Sequence, residues 1–203
     1  MKKITKHILA ALIFAFLLAG CATPPQPTVS LSSNIHQLSL QQQNSWLLKG
    51  KLGFKGPQKK QSANFRWRQK QQQYQLNLTS IIGTSLLNMK GDEKGVTLST
   101  DDKTYQDSDP SYLIWQVTGW QIPVQKLRLW VKGQHQKNDK VRTSEQGWVS
   151  QLQPVCHNCK NWLIDYDNYK LVNRIWLPHK IVLHNSSDNS QLLIRVNEWE
   201  LHE

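Results

Sequence analysis

The chain has 203 residues and a formal net charge of +11, with 25 Lys and Arg against 14 Asp and Glu. This length can enclose one sizeable core and argues against a second independent domain. Leu, Ile, Val and Trp are too plentiful for an intrinsically disordered chain. A basic chain can meet anionic lipid, acidic protein or nucleic acid, or can simply expose a solvated basic face, so charge alone names no partner.

The first twenty residues have the order of a secretory signal. Lys2, Lys3 and Lys6 precede an apolar run at residues 8–18, and small residues follow at Ala19 and Gly20. The apolar run is shorter than the roughly 20 residues that span a bilayer, so residues 1–20 are predicted to be a removed signal peptide. An exported location favours lipid or protein partners, and no nucleic acid partner is expected.

The sequence Leu18-Ala19-Gly20-Cys21 resembles the bacterial lipobox. That resemblance implies a diacylglycerol on the Cys21 thiol and a fatty acyl group on the new amino terminus. An ordinary signal peptide with a chance Cys is the alternative. In the lipoproteins that this segment resembles, Asp directly after the Cys is the usual signal for retention in the inner membrane. This chain has Ala22 there, which favours the outer membrane. The Pro- and Thr-containing segment that follows has little apolar area, so residues 21–32 are expected to be the lipidated amino terminus and a tether.

From residue 33 to 203 the apolar pattern predicts one folded domain. Ile35, Leu38 and Leu40 recur at near-helical spacing behind a Ser32-Ser33-Asn34 cap and predict a short helix with these residues on its apolar face. From Trp46 the period changes to two and predicts successive antiparallel strands with short polar joins. The predicted strands lie around residues 46–55, 65–68, 74–78, 85–90, 96–99, 103–106, 148–152, 162–166, 175–183 and 192–196.

Two short helices are predicted in the middle of these strands. Asp109 and Pro110 supply a cap and a first-turn proline before an apolar face that ends at Gly119. Pro123 opens a second helix that ends at Gly133. The predicted fold class is therefore mainly β: a single curved antiparallel sheet of about ten or eleven strands forms an incomplete barrel, covered by about three short helices.

Motifs for catalysis are absent from the sequence. It has no phosphate-binding glycine loop, no Gly-x-Ser-x-Gly turn and no His-Glu-x-x-His. The seven His are scattered, and His179 and His184 are spaced to face opposite sides of a strand. No enzyme activity, cofactor or metal site is predicted.

Cys156 and Cys159 lie between two predicted strands, which is not the βαβ context of a thioredoxin-like site. In an oxidising compartment a disulfide that clamps a turn is the favoured interpretation, with zinc binding or free thiols as alternatives.

Several short stretches, in a fixed order, cover most of residues 45–200. They comprise Leu48-Lys49-Gly50-Lys51-Leu52, Phe65-Arg66-Trp67, Tyr74-Gln75-Leu76 through Gly83-Thr84-Ser85, Thr118-Gly119-Trp120-Gln121-Ile122-Pro123, Leu127-Arg128-Leu129-Trp130-Val131-Lys132-Gly133 and, more weakly, Asn161-Trp162 and Asn197-Glu198-Trp199. In this order and spacing they resemble the LolB family of outer-membrane lipoprotein receptors of Gram-negative bacteria.

The resemblance implies an apolar cavity that takes lipoprotein acyl chains from the soluble carrier LolA and passes them into outer-membrane phospholipid. The expected protein is a monomer on the periplasmic face of the outer membrane, anchored at Cys21. Nine Trp, many on alternating apolar faces, are compatible with such a cavity or with an ordinary core. The residues expected to face the cavity are Trp67, Trp130, Trp162 and Trp199, with Tyr74 and Leu76.

The family also has an exposed apolar residue on a loop that serves delivery, and the matching position is Ile82, next to Ile81. A turn is normally polar, so these two residues stand out in any case; a buried turn packed into the sheet is the alternative. The Cys156 to Cys159 segment and the strongly basic balance depart from the family pattern. Other classes kept open are a structural envelope lipoprotein with a filled core, an envelope hydrolase, and a LolA-like soluble carrier, against which Cys21 argues.

Overall fold

Eleven strands form one antiparallel sheet in the order β6-β5-β4-β3-β2-β1-β11-β10-β9-β8-β7. The computed structural model describes residues 32–156, 159 and 161–202. The helices are α1 (Ser33–Gln42), α2 (Pro110–Thr118) and α3 (Val124–Trp130). The strands are β1 (Ser45–Lys55), β2 (Lys60–Lys70), β3 (Gln73–Thr79), β4 (Ser85–Gly91), β5 (Val96–Ser99), β6 (Thr104–Asp107), β7 (Lys140–Thr143), β8 (Val149–Gln153), β9 (Trp162–Val172), β10 (Ile175–Asn185) and β11 (Ser190–His202).

The sheet is open, because β6 and β7 stand at opposite ends of the strand order and do not pair with each other. The chain between these two edges carries α2 and α3. Alternation along the strands places apolar side chains on the concave face, as in β2, where Ala63, Phe65 and Trp67 are buried and the residues between them are partly or fully exposed. The expected incomplete barrel with three helices is confirmed.

The two ends of the sheet differ in what they carry. Asn44, just after α1, accepts a hydrogen bond from the backbone of Gln71 in the turn between β2 and β3, which places α1 at this end. We call it the α1 end. The turns at residues 56–59 and 80–84 lie at the opposite end, which we call the loop end.

A bulge interrupts the pairing of β1 with β11 between Lys49 and Gly50. A Cβ atom at Gly50 would collide with the carbonyl oxygen of Arg195, so the close approach of these two strands requires glycine. By contrast, a Cβ atom at Gly53 in the same strand would have nothing within 4 Å.

The helix α1 forms as predicted, but of the three apolar residues at helical spacing only Leu40 is buried. Ile35 and Leu38 are 62% and 58% exposed, whereas His36, Gln37 and Leu40 are buried. The reason is a set of specific hydrogen bonds: His36 Nε2 lies 2.8 Å from the Trp176 carbonyl, and Gln37 donates to the Gly133 carbonyl at 3.0 Å. Satisfied polar groups therefore set the rotation of this helix in place of apolar spacing.

The helix α2 begins and ends at the predicted signals, whereas α3 begins after Pro123 as predicted but ends at Trp130, three residues before Gly133. The Asp109 side chain accepts a hydrogen bond from the Ser111 amide at 2.8 Å, and Gly119 ends α2 in the left-handed conformation at φ 77°. Gly133, at φ 75°, follows α3. Between the helices, Trp120 stacks on Phe54 of β1 with ring centroids 4.5 Å apart, and its indole nitrogen donates to the Gln61 side chain.

Candidate functional site

An apolar cavity of about 60 Å³ lies between the concave face of the sheet and the helices α2 and α3. No polar surface lines it. The lining residues are Leu48, Leu52, Phe65, Trp67, Leu76, Leu78, Ile114, Trp120, Ile122, Val124, Leu127, Val131, Leu192 and Ile194. The sheet, both helices and their connection therefore all contribute to one continuous apolar surface.

Two of the six residues expected at the cavity, Trp67 and Leu76, line it. Trp130, Trp162 and Trp199 are buried in the core but do not line this cavity. Trp46 connects part of this set, because its ring meets those of Trp67 and Trp199 edge to face, with centroids 5.2 and 5.5 Å apart. The predicted aromatic residues are thus divided between the cavity wall and the packing behind it.

Tyr74, the sixth expected residue, lines an open, partly polar cleft of about 860 Å³ beside β4 and β5. Its ring covers Gly91, its cross-strand partner, where a Cβ atom would collide with the ring. Burial, with smaller contributions from Asp109 and Asp92, raises the pKa of Tyr74 to about 12. The side chain therefore stays a neutral phenol in this cleft.

Trp67 lines the cavity with apolar ring surface only, and its indole nitrogen is buried in the protein behind that surface. The side chain is 6% exposed, and Nε1 has no hydrogen-bond partner among the described residues. A buried N–H group without an acceptor costs free energy. An acceptor, such as a ligand carbonyl oxygen, would be favourable here only after the surrounding side chains moved to expose the nitrogen.

The loop between β3 and β4 presents the two predicted isoleucines to solvent. Ile81 and Ile82 are 76% and 90% exposed. The turn beneath them is held by its own backbone: the Ser80 amide donates to the Thr84 carbonyl, and the Gly83 amide donates to the Ser80 carbonyl at φ 91°. The alternative of a buried turn is therefore excluded, and this apolar surface has no partner in the described part of the chain.

Lys132 connects the segment after α3 to α1 by hydrogen bonds. The sequence pattern did not predict this contact. Its side chain is 3% exposed, and Nζ donates to the carbonyls of Leu40 and Gln43 at 2.9 and 2.8 Å. These carbonyls belong to the last turn of α1 and the residue after it, where backbone acceptors lack helical partners. Burial, and then the neighbouring Arg128, lowers the pKa of Lys132 to about 8.

A disulfide joins Cys156 to Cys159, with Cα atoms 5.3 Å apart, in the connection between β8 and β9. Cys159 is buried in the core. Cys21, the predicted signal peptide and the predicted tether up to residue 31 lie outside the described residues.

Within the ranges that the structure describes, no helix has the length and apolar character of a membrane span. Among those same residues, no cluster of three or more His, Cys, Asp or Glu could hold a metal ion.

The fold is that of an open antiparallel half-barrel with a helical cover. It is similar to a LolA superfamily protein from Nitrosomonas europaea, with a TM-score of 0.52, 8% identity, and coverage of 86% of this chain and 95% of that one. A DUF1329 family protein from Desulfovibrio piger gives a TM-score of 0.56 at 6% identity over 83% of this chain and 90% of that one.

Sequence comparison identifies the family. The model described as outer membrane lipoprotein LolB matches residues 44–199. The outer-membrane lipoprotein LolB of Vibrio cholerae is 33% identical over 99% of both chains, and that of Tolumonas auensis is 31% identical over 98% of both. The chain belongs to the LolB family of outer membrane lipoproteins, which confirms the resemblance seen in the sequence and an outer-membrane location.

Proposed function

We propose that this protein accepts lipoproteins from the periplasmic carrier LolA by binding their acyl chains in the apolar cavity, and then inserts them into the outer membrane. The observation that carries the proposal is a cavity with no polar lining, covered by the two helices that occupy the gap of an open sheet. Cys21 would hold this receptor at the membrane that receives the cargo.

The transfer of acyl chains through water requires an apolar cavity. Each methylene withdrawn from water is worth about 0.8 kcal/mol, so acyl chains do not cross an aqueous compartment unshielded. A cavity of about 60 Å³ has room for roughly two water molecules. An acyl chain needs more volume than this, so the proposal requires α2 and α3 to move away from the sheet.

The exposed isoleucines supply the delivery step in this proposal. Ile81 and Ile82 stand on a turn whose backbone needs no support from their side chains. They can enter the bilayer without unfolding the sheet, and their transfer from water favours contact between loop and lipid. The cavity and the loop thus separate receipt of the cargo from its release.

A reconstitution tests the proposal. LolA loaded with a fluorescently labelled lipoprotein is mixed with this protein and then with liposomes, and the label is followed by size exclusion and flotation. The label should move first to this protein and then to the liposomes. A label that stays on the carrier in the presence of folded protein would contradict the proposal.

The small volume of the cavity favours one alternative, a structural envelope lipoprotein with a filled core. Such a protein would take no label from the carrier and would show no change in Trp fluorescence on addition of acyl chains. The same reconstitution therefore separates the two functions.

A further inference from the structure

The outer, convex face of β1, β2 and β11 carries an excess of positive charge. Seven cationic side chains on it are exposed, and we call them the outer cationic face: Lys51, Lys55, Lys60, Arg66, Arg68, Lys70 and Arg195. The only carboxylates on these three strands, Glu198 and Glu200, are both bound by Lys49, at 2.8 and 3.1 Å. Within the described residues, none of the seven cations takes part in an ion pair.

The pairing of the strands brings like charges directly opposite each other. Lys51 of β1 faces Arg195 of β11, and Lys55 of β1 faces Lys60 of β2. Like charges at directly opposed positions destabilise an antiparallel sheet. An anionic partner on this face would offset that repulsion, which an isolated domain has to tolerate.

The position of the face indicates which partner it meets. Lys55 and Lys60 flank the turn at residues 56–59, so they lie at the loop end together with Ile81 and Ile82. Ser32, the first described residue, lies beside α1 at the opposite end of the sheet, because its carbonyl accepts the His36 amide. The outer cationic face is the surface that extends between these two ends.

The length of the chain between Cys21 and the domain also limits how the domain can lie on the membrane. The eleven residues of β1 extend about 36 Å, and the eleven residues 22–32 that follow the predicted lipid site reach at most about 40 Å. A domain standing upright on its isoleucine loop would need nearly the whole of that reach. A domain lying on its outer face brings both the loop and residue 32 close to the bilayer.

We propose that the outer cationic face docks on the anionic phospholipid headgroups of the membrane that holds the protein. This proposal rests on the proposed function for the membrane location and the delivery loop. It adds an orientation: the strands lie along the bilayer, and the isoleucine loop meets the lipid from the side. Each Lys or Arg near an anionic surface contributes about 1 kcal/mol to such binding, and the contribution is screened by salt.

The test uses the mature chain with Cys21→Ala, which has no lipid anchor, and co-sedimentation with vesicles. Phosphatidylcholine vesicles are compared with vesicles of phosphatidylcholine and phosphatidylglycerol in a 70 to 30 ratio. Binding should require phosphatidylglycerol and fall steeply with added NaCl. Equal binding to both vesicle types would overturn the proposal.

The informative variant is Lys51→Glu combined with Lys55→Glu, because each new carboxylate faces a cation, Arg195 or Lys60. Its Tm should be equal to or above that of the parent, while its partition onto anionic vesicles falls about tenfold or more. The matched control is Lys140→Glu with Arg142→Glu on the exposed edge strand β7, which changes the net charge equally. Equal loss of binding in both variants would show a mere effect of net charge and overturn the proposal.

Carrier uptake is measured on the same variants without vesicles. If Lys51→Glu with Lys55→Glu blocks uptake from LolA but leaves vesicle binding intact, the face meets an acidic protein, and the lipid proposal is wrong. If the parent protein takes up no cargo yet binds anionic vesicles through this face, the proposed receptor function fails and the membrane orientation stands.

Discussion

The Phe54 ring stacks on the Trp120 ring at 4.5 Å between centroids and thereby attaches the connection between α2 and α3 to β1. Because Trp120 also lines the cavity, this contact would have to break for α2 and α3 to move away from the sheet.

Trp120→Leu should lower the free energy of unfolding by about 2 kcal/mol and raise the rate at which a fluorescent fatty acid enters the cavity. Stopped-flow fluorescence gives the rate. Trp115→Leu, on the exposed side of α2, is the control and should change neither; an unchanged rate in Trp120→Leu would argue against helix opening.

Ile82→Glu should leave receipt from LolA intact and block transfer to liposomes. The side chain is 90% exposed, so its replacement should change stability by less than about 0.5 kcal/mol, whereas a carboxylate cannot enter the bilayer cheaply. Both steps are read from the labelled lipoprotein. Val141→Glu, an exposed apolar position on β7, should behave as the parent. Normal transfer by Ile82→Glu would reduce the loop to a simple turn.

Trp67→Phe should weaken binding of ester-linked cargo about fivefold, the equivalent of one hydrogen bond of about 1 kcal/mol. The variant keeps the ring against Trp46 but removes the unpartnered N–H group. Titration of a diacylglycerol lipopeptide measures the loss, and the dialkyl ether analogue, which lacks ester carbonyls, provides the comparison. Equal weakening for both ligands would assign the effect to ring packing.

The buried Lys132 predicts stability that rises with pH in the alkaline range. Its pKa in the folded protein is about 8, below the ordinary value of 10.5, so between these values the unfolded chain binds more protons. The free energy of unfolding should therefore increase from pH 8 to pH 10, by up to about 1.4 kcal/mol per pH unit. Urea unfolding of the parent is compared with Lys132→Met, which removes this group; equal slopes would show that Lys132 does not titrate as described.

Two glycines of β1 provide a matched pair. Gly50→Ala should cost about 1–3 kcal/mol, because its Cβ atom meets the Arg195 backbone at the bulge. Gly53→Ala has open space and should be neutral or slightly stabilising. Thermal unfolding of both variants checks the expectation, and similar melting temperatures would mean that the bulge adapts easily.

The strands with one buried face were predictable from the sequence, because apolar residues on the buried face alternate with polar residues on the exposed face. The strand β7, Lys140 to Thr143, escaped prediction because all four of its residues are exposed and no apolar alternation exists. The same limit applies to α1, which forms where its spacing indicated but turns a different face inward. There, hydrogen bonds from His36 and Gln37 outweigh Ile35 and Leu38.

The sequence predicted the apolar character of the site, but it did not predict most of the residues that line it. The abundance of Trp indicated a large apolar interior, and Trp67 and Leu76 do reach the cavity. Sequence spacing cannot separate a cavity wall from the layer behind it, which is where Trp130, Trp162 and Trp199 lie. The polar fastening by Lys132 depends on carbonyls more than 80 residues away in sequence, and no local pattern records such a contact.

The unpaired edges of the sheet bear on which acyl chains the proposed receptor could bind. In a closed barrel the number of strands and their stagger fix the internal diameter. Here β6 and β7 can separate further without loss of any backbone hydrogen bond between them, since the two edges share none. The space available to a ligand then depends on side-chain packing under α2 and α3, so one protein could accommodate acyl groups that differ in number and length.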